Sequence, residues 1–125
     1  MLQSDPLRAV NLAEKFRLFR DHWSPKIAGE VNDRHVKLVK LQSEFVWHRH
    51  AAEDELFLVV TGRLLLRLRD RDVWVEQGEF AIVPRGVEHL PITAQETHVL
   101  LLEPKTTLNT GDVRHERTVT ELDRV

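Results

Sequence analysis

His48, His50 and Glu55 lie close together in the chain, and His89 lies far along it; these are the side chains best suited to chemistry. Imidazole nitrogen and carboxylate oxygen are strong ligands for divalent metals. The sequence has no cysteine, which excludes thiolate catalysis, disulfides and sulfur-ligated metal. His48 and His50 are two residues apart, so on an extended strand both face the same side, about 6.5–7 Å apart along the backbone. Glu55 follows at a distance that leaves room to turn and bring a carboxylate back from the next strand. An isolated His-x-His is a weak signal in a chain with 7 histidines. The residues around it make the case stronger.

Gly62 ends the apolar run of residues 56–61 where a tight turn wants positive φ, and Pro84-Arg85-Gly86 supplies a fixed turn that delivers His89 onto a further strand. If these segments are paired strands of one small barrel, three imidazoles and one carboxylate converge on one divalent metal. Phe57, Val59, Leu64, Leu66 and Ile82 are then the apolar inward neighbours that shield it.

The rest of the chain has to build that barrel. Leu12, Phe16, Phe19 and Trp23 recur at helical spacing and predict a short helix with an apolar stripe, capped by Asn11 with Glu14 completing a capping box. Pro25 ends it. The pattern then shortens towards period two, and we expect strands at about 26–31, 35–41, 44–50, 55–61, 63–69, 72–76, 79–83, 87–90 and 97–103. Turn residues separate them, among them Asn32-Asp33, Gly62, Asp70-Arg71-Asp72, Gln77-Gly78 and Pro91. So many short strands with no helix between them point to an antiparallel sandwich or barrel. The expected division is an N-terminal helical segment at 1–25, a barrel at 26–105 and a tail at 106–125 packing on it, with a last helical turn at 118–123.

The two clusters resemble the paired motifs of the cupin family. The first motif reads G-x5-H-x-H-x3,4-E-x6-G and fits His48, His50, Glu55 and Gly62; the second reads G-x5-P-x-G-x2-H-x3-N and fits Gly78, Pro84, Gly86 and His89. The opening Gly falls on Gln42 and the closing Asn on Thr93, and neither position is a metal ligand in the family. The resemblance spans about residues 40–95. It implies an all-β fold, the double-stranded β-helix or jelly-roll barrel, and one divalent transition metal, Fe, Mn, Ni, Cu or Zn, held by His48, His50, Glu55 and His89.

With 125 residues the chain is sized for one domain, and 18 basic against 20 acidic side chains leave no basic tract for nucleic acid. No apolar stretch is long enough to span a membrane, and residues 1–6 lack the pattern of a signal peptide, so a cytoplasmic protein is expected. The best-supported function is a metal-dependent enzyme on a small organic substrate, by dioxygenation or by isomerase or lyase chemistry, as the family resemblance includes both kinds. The alternative is a metal-assisted binding or sensing protein without turnover. Isomerase or lyase chemistry needs a base beside the metal, for which His35, His98 and Glu103 are the candidates; a dioxygenase needs mainly a redox metal and an apolar pocket. His35, Phe57 and His98 are the candidate substrate-binding residues. A homodimer is expected, with Trp47 and Arg49, which alternate with the ligands, and the open edge at 26–31 as candidate contacts.

Overall fold

Beyond Pro25 the apolar residues alternate with polar ones, and a sheet with one face turned to a core is the structure that alternation favours. The computed structural model describes residues 7–125; the signal-peptide reading of residues 1–6 lies outside them. One short helix, α1 (Leu12–Phe16), precedes β1 (Lys26–Val31), β2 (Arg34–Glu44), β3 (Glu55–Thr61), β4 (Arg63–Leu68), β5 (Asp72–Glu76), β6 (Phe80–Val83) and β7 (His89–Pro104). The order is β1-β2-β7-β3-β6, with β4 joining β7 and β5 joining β4, and every pair of strands is antiparallel. This is an all-β jelly-roll barrel.

β7 sits at its centre. From Thr97 to Pro104 it lies beside β2, and it pairs with β3 from His98 to Leu102; from His89 to Ile92 it pairs with β4. The alternation anticipated separate strands at 87–90 and 97–103 with a turn at Pro91, but the strand runs through. The reason is local. A strand residue's N–H and C=O point to the same side, and the Pro91 carbonyl accepts from Phe45 N at 3.0 Å, so the N–H that Pro91 lacks would face that side, past the end of β2. Likewise β2 absorbs the start of the strand expected at 44–50. A bulge between Leu41 and Ser43, with Ser43 at φ 68°, lets pairing continue to Glu44. Beyond it, residues 45–50 keep only the bridge His48↔His89.

The inner face carries Val39, Leu41, Phe57, Val59, Leu64, Leu66, Val99 and Leu101 as one core cluster, joined by Trp23 and Phe45. Ile82 is the exception to the expected set: Glu55 pairs with Val83, so Val83 turns inward and Ile82 outward, 55 % exposed.

α1 is shorter than the stripe from Leu12 to Trp23 suggested. The Asn11 side chain accepts from Glu14 N at 2.9 Å and starts the helix, yet it ends at Phe16. Phe19 and Trp23 are buried without helical backbone: Phe16 and Phe19 pack on Leu38 on the outer face. Trp23 adopts φ 60°, and its backbone and indole N–H groups donate to Lys40 O and Gln42 O, both at 2.9 Å. Strand β2 therefore holds this segment where helical periodicity does not.

The tail forms no helical turn at 118–123. Instead Asp123 and Val125 hydrogen-bond Ile27, each at 2.9 Å, and Ile27 pairs in parallel with Arg124. The unpaired groups of a strand edge give the end of the chain better partners than its own backbone would. The preceding stretch, residues 107–119, straps across the barrel beside residues 48–50, with Thr110 wholly buried.

Candidate metal centre

Three segments supply the four side chains: the stretch with His48 and His50, the start of β3 and the start of β7. His48 and His89 face each other across a bridge closed by two backbone hydrogen bonds of 3.1 and 2.9 Å, and Gly86 N donates to His50 O at 2.8 Å, which ties the turn before His89 to the His-x-His segment. Glu55 opens β3 with its side chain on the inner face. Each of the four is buried, and one ligand atom from each lies within 4.8 Å of all the others. That is close to the span of about 4 Å between opposite ligands of a first-row metal ion.

The hydrogen bonds aim the rings. His48 Nδ1 lies 2.9 Å from Val46 O, and His89 Nδ1 lies 2.9 Å from Val87 O. A carbonyl only accepts, so each Nδ1 carries the proton and each Nε2 keeps its lone pair for a ligand. Inside the cluster, His50 Nε2 is 3.1 Å and His89 Nε2 3.5 Å from Glu55 Oε1. His50 Nε2, His89 Nε2 and Glu55 Oε1 are buried and make no hydrogen bond. Buried polar atoms are normally satisfied; three that converge on one point fit a cation there, and the nitrogen and oxygen donors suit a first-row divalent metal.

The proton affinities follow from the same contacts. Burial, with the neighbouring His89, pushes His48 down to about 4, so its ring is neutral as a ligand must be. Burial also opposes charge on His50, but the Glu55 carboxylate 3.1 Å away outweighs it, and its pKa is raised. Glu55 is buried too, yet the imidazoles of His50 and His89, 3.1 and 3.5 Å away, hold its carboxyl well below the usual range. A carboxylate this far into the barrel favours a positive charge beside it, proton or metal.

A cavity of about 30 Å³ adjoins His48 and Glu55 and is walled by Trp23, Val39, Leu41, Phe45, Phe57 and Leu101, with Asn109 at its rim. Of the expected substrate residues, only Phe57 lines it. His98 is on the outer face, stacked on Phe16 at 4.5 Å and bonded to Glu96 at 3.0 Å; β2 and β3 both pair with β7 so that Val99 and Leu101, not His98, turn inward. His35 lines a separate pocket with Lys37, Lys105 and Thr107. Trp47 and Arg49, expected at a subunit contact, have partners within the chain: Arg69 stacks over Trp47 at 3.8 Å and Arg49 pairs with Asp112 at 3.0 Å. Trp23 and Asn109 escaped sequence reasoning because they come from segments outside the motifs. Lys37 left one legible sign, a lysine at an inward position of an apolar strand.

Residues 35–105 match the family model described as Cupin domain. The chain belongs to the cupin family. This cupin is 35% identical over 78 residues to protein YdbB of Bacillus subtilis, covering 62% of this chain and 69% of that one. It is 32% identical over 80 residues to 3-hydroxyanthranilate 3,4-dioxygenase 2 of Aspergillus clavatus, covering 60% of this chain but only 42% of the dioxygenase. Among solved structures it resembles a cupin-2 domain containing protein from Shewanella frigidimarina, with 44% identity and a TM-score of 0.76 over 77% of this chain and 94% of that one. The His48, His50, Glu55 and His89 group of this cupin could hold a metal ion.

Proposed function

We propose that this cupin holds one divalent transition metal through His48, His50, Glu55 and His89 and uses it as an enzyme for oxygen chemistry on a small organic substrate. The observation that carries this reading is the apolar cavity beside His48 and Glu55. Isomerase or lyase chemistry needs a free base at the metal, and none of the three candidates serves: His98 is on the outer face, His35 lines another pocket, and Glu103 is engaged by Lys37. A redox metal such as iron would supply electron transfer to dioxygen. The chain's own residues orient the ligands, exclude water and set the size of the guest. About 30 Å³ is room for water or a diatomic molecule, so an organic substrate enters by displacing Trp23 or the strap at Asn109. The partial match to a dioxygenase supports the same reading.

Metal analysis of protein purified without added metal or chelator, followed by oxygen uptake by the iron(II)-loaded protein with 3-hydroxyanthranilate and simpler aminophenols and catechols, tests it. Iron or copper with substrate-dependent uptake is expected; zinc with no uptake under any of these conditions overturns the oxygen chemistry.

We further propose that the protein is a homodimer, and the apolar outer face of the sheet supports this. Phe80 and Ile82 are 62 % and 55 % exposed, and Leu56, Leu58, Leu102 and Val36 continue them across β3, β7 and β2 in register. A cytoplasmic location is part of the same proposal; among the described residues no helix is long and apolar enough to cross a membrane.

A further inference from the structure

A cavity of about 210 Å³ lies between β1, β2, the turn after β7 and the tail. Lys37 sits on the same face of β2 as Val39 and Leu41, but where those two wall the cavity at His48 and Glu55, Lys37 walls this one. Asn109 is the one residue that lines both. Lys37, Lys105 and His35 contribute to the lining and no acidic side chain does.

The polar groups here have bonding capacity to spare. Thr107 is 7 % exposed, and its backbone is held from two sides: its N–H donates to Pro104 O at 3.0 Å and its carbonyl accepts from Lys37 Nζ at 3.4 Å. Its hydroxyl oxygen is buried with no hydrogen bond, and so is His35 Nδ1; buried polar atoms are normally satisfied. The Lys37 ammonium has three N–H groups and uses one on Glu103 Oε2 at 2.5 Å and one on Thr107 O, which leaves the third. At the mouth, Lys105 and Arg124 share the single carboxylate of Glu30, at 2.6 and 2.8 Å, so two cations stand against one anion. Burial, and after it the charge of Lys37, hold the His35 pKa below its ordinary value although Glu30 pulls the other way. The surroundings of the cavity therefore favour negative charge.

The remaining walls narrow the class of ligand. Ile27, Leu108, Val119 and Leu122 offer carbon surface that a bare inorganic anion would leave against water. A volume below the range of about 300–1,000 Å³ typical of drug-sized ligands suits a single ring or a short chain.

We propose that this cavity is a binding site for a small organic carboxylate, its anionic head met by Lys37, Lys105 and the Thr107 hydroxyl and its carbon body laid on Ile27, Val119 and Leu122. The site is independent of the reading of His48, His50, Glu55 and His89 as metal ligands, none of which lines it.

Calorimetric titration of the full chain, stripped of metal so that no ion can take up a carboxylate, tests this with benzoate, its neutral counterpart benzamide and inorganic phosphate as probes. Benzoate should bind one to one at millimolar concentration or below, with benzamide about tenfold weaker or more, because a hydrogen bond to a charged group is the stronger kind. Thr107→Val should weaken benzoate about tenfold or more while melting no lower than the parent, since the methyl replaces a hydroxyl that has no partner. Lys105→Glu, at the exposed mouth where folding is not at stake, should weaken it about tenfold by reversing a charge. Arg67→Met, which removes an exposed cation paired with Asp72 on β4 and β5, should leave it unchanged. No saturable binding of benzoate at millimolar concentration would mean that the cavity holds water alone, and would overturn the proposal. Benzamide binding as tightly as benzoate, phosphate binding more tightly than benzoate, or folded Thr107→Val and Lys105→Glu both binding like the parent would overturn it as well.

Discussion

Residue by residue, the site makes unequal demands. Replacing His48, His50 or His89 by Ala should weaken divalent-metal binding by about tenfold or more. His22→Ala and His115→Ala should not, because His22 bonds Glu96 at 2.8 Å and His115 Nδ1 accepts from Arg117 N at 3.1 Å, both away from the cluster. Elemental analysis of the five variants decides this, and equal metal content would remove the assignment. The metal-free protein should also carry a pH signature. His48 titrates near 4 when folded against 6.5 when unfolded, so the unfolded chain binds more protons between those values. Its contribution is fully present above pH 6.5 and is lost as pH falls towards 4, at most about 3 kcal/mol. His50 has the opposite sign, since its raised affinity contributes below its unfolded value and is lost as pH rises through the folded one. Urea midpoints of the apo protein at pH 7 and pH 5 should therefore differ less in His48→Gln than in the parent; an unchanged difference would show that His48 is not the group responsible. The cluster of His48, His50, Glu55 and His89 was legible in the sequence because local spacing and turn residues determine where these side chains fall. The pairing of Lys37 with Glu103 was not legible, because only the register of β2 on β7 brings the two together.

At the scale of elements, the strap and the helix make separate contributions. Gly111 has φ 57°, and a Cβ there would lie 2.1 Å from Arg49 O and 3.2 Å from the His48 ring. Gly111→Ala must therefore lift the strap from residues 48–50, and we expect faster metal release with a modest loss of stability, measured by chelator-driven dissociation. A release rate equal to the parent's would mean the strap does not cover the site. On the outer face, Leu38 is fully buried beneath Phe16 and Phe19. Leu38→Ala should cost about 2–5 kcal/mol, read by urea unfolding, with metal affinity unchanged because the cavity is on the other side of the sheet. Strand positions were largely readable from period-two alternation. The helix was over-read because Phe19 and Trp23 keep helical spacing while backbone and indole bonds to β2 fix Trp23. The ends of β2 and β7 were misplaced because a bulge and an edge-facing proline look like breaks in one dimension.

For the whole molecule, the unpartnered sheet face around Phe80 and Ile82 predicts association. Sedimentation should show a dimer at micromolar concentration and a monomer for Phe80→Glu combined with Ile82→Glu; a monomeric parent would refute the dimer. The course of β7 carries a different consequence, one of time. His89 opens that strand, and its neighbours β2, β3 and β4 were all made earlier in the chain. No pair of those earlier strands is bonded to another without it, so a refolding chain has no central scaffold until its last strand arrives. Such distant pairings put folding in the slower range, about milliseconds to seconds. Because His89 joins His48 only in that same event, metal should bind a finished barrel and leave the refolding rate unchanged while slowing unfolding.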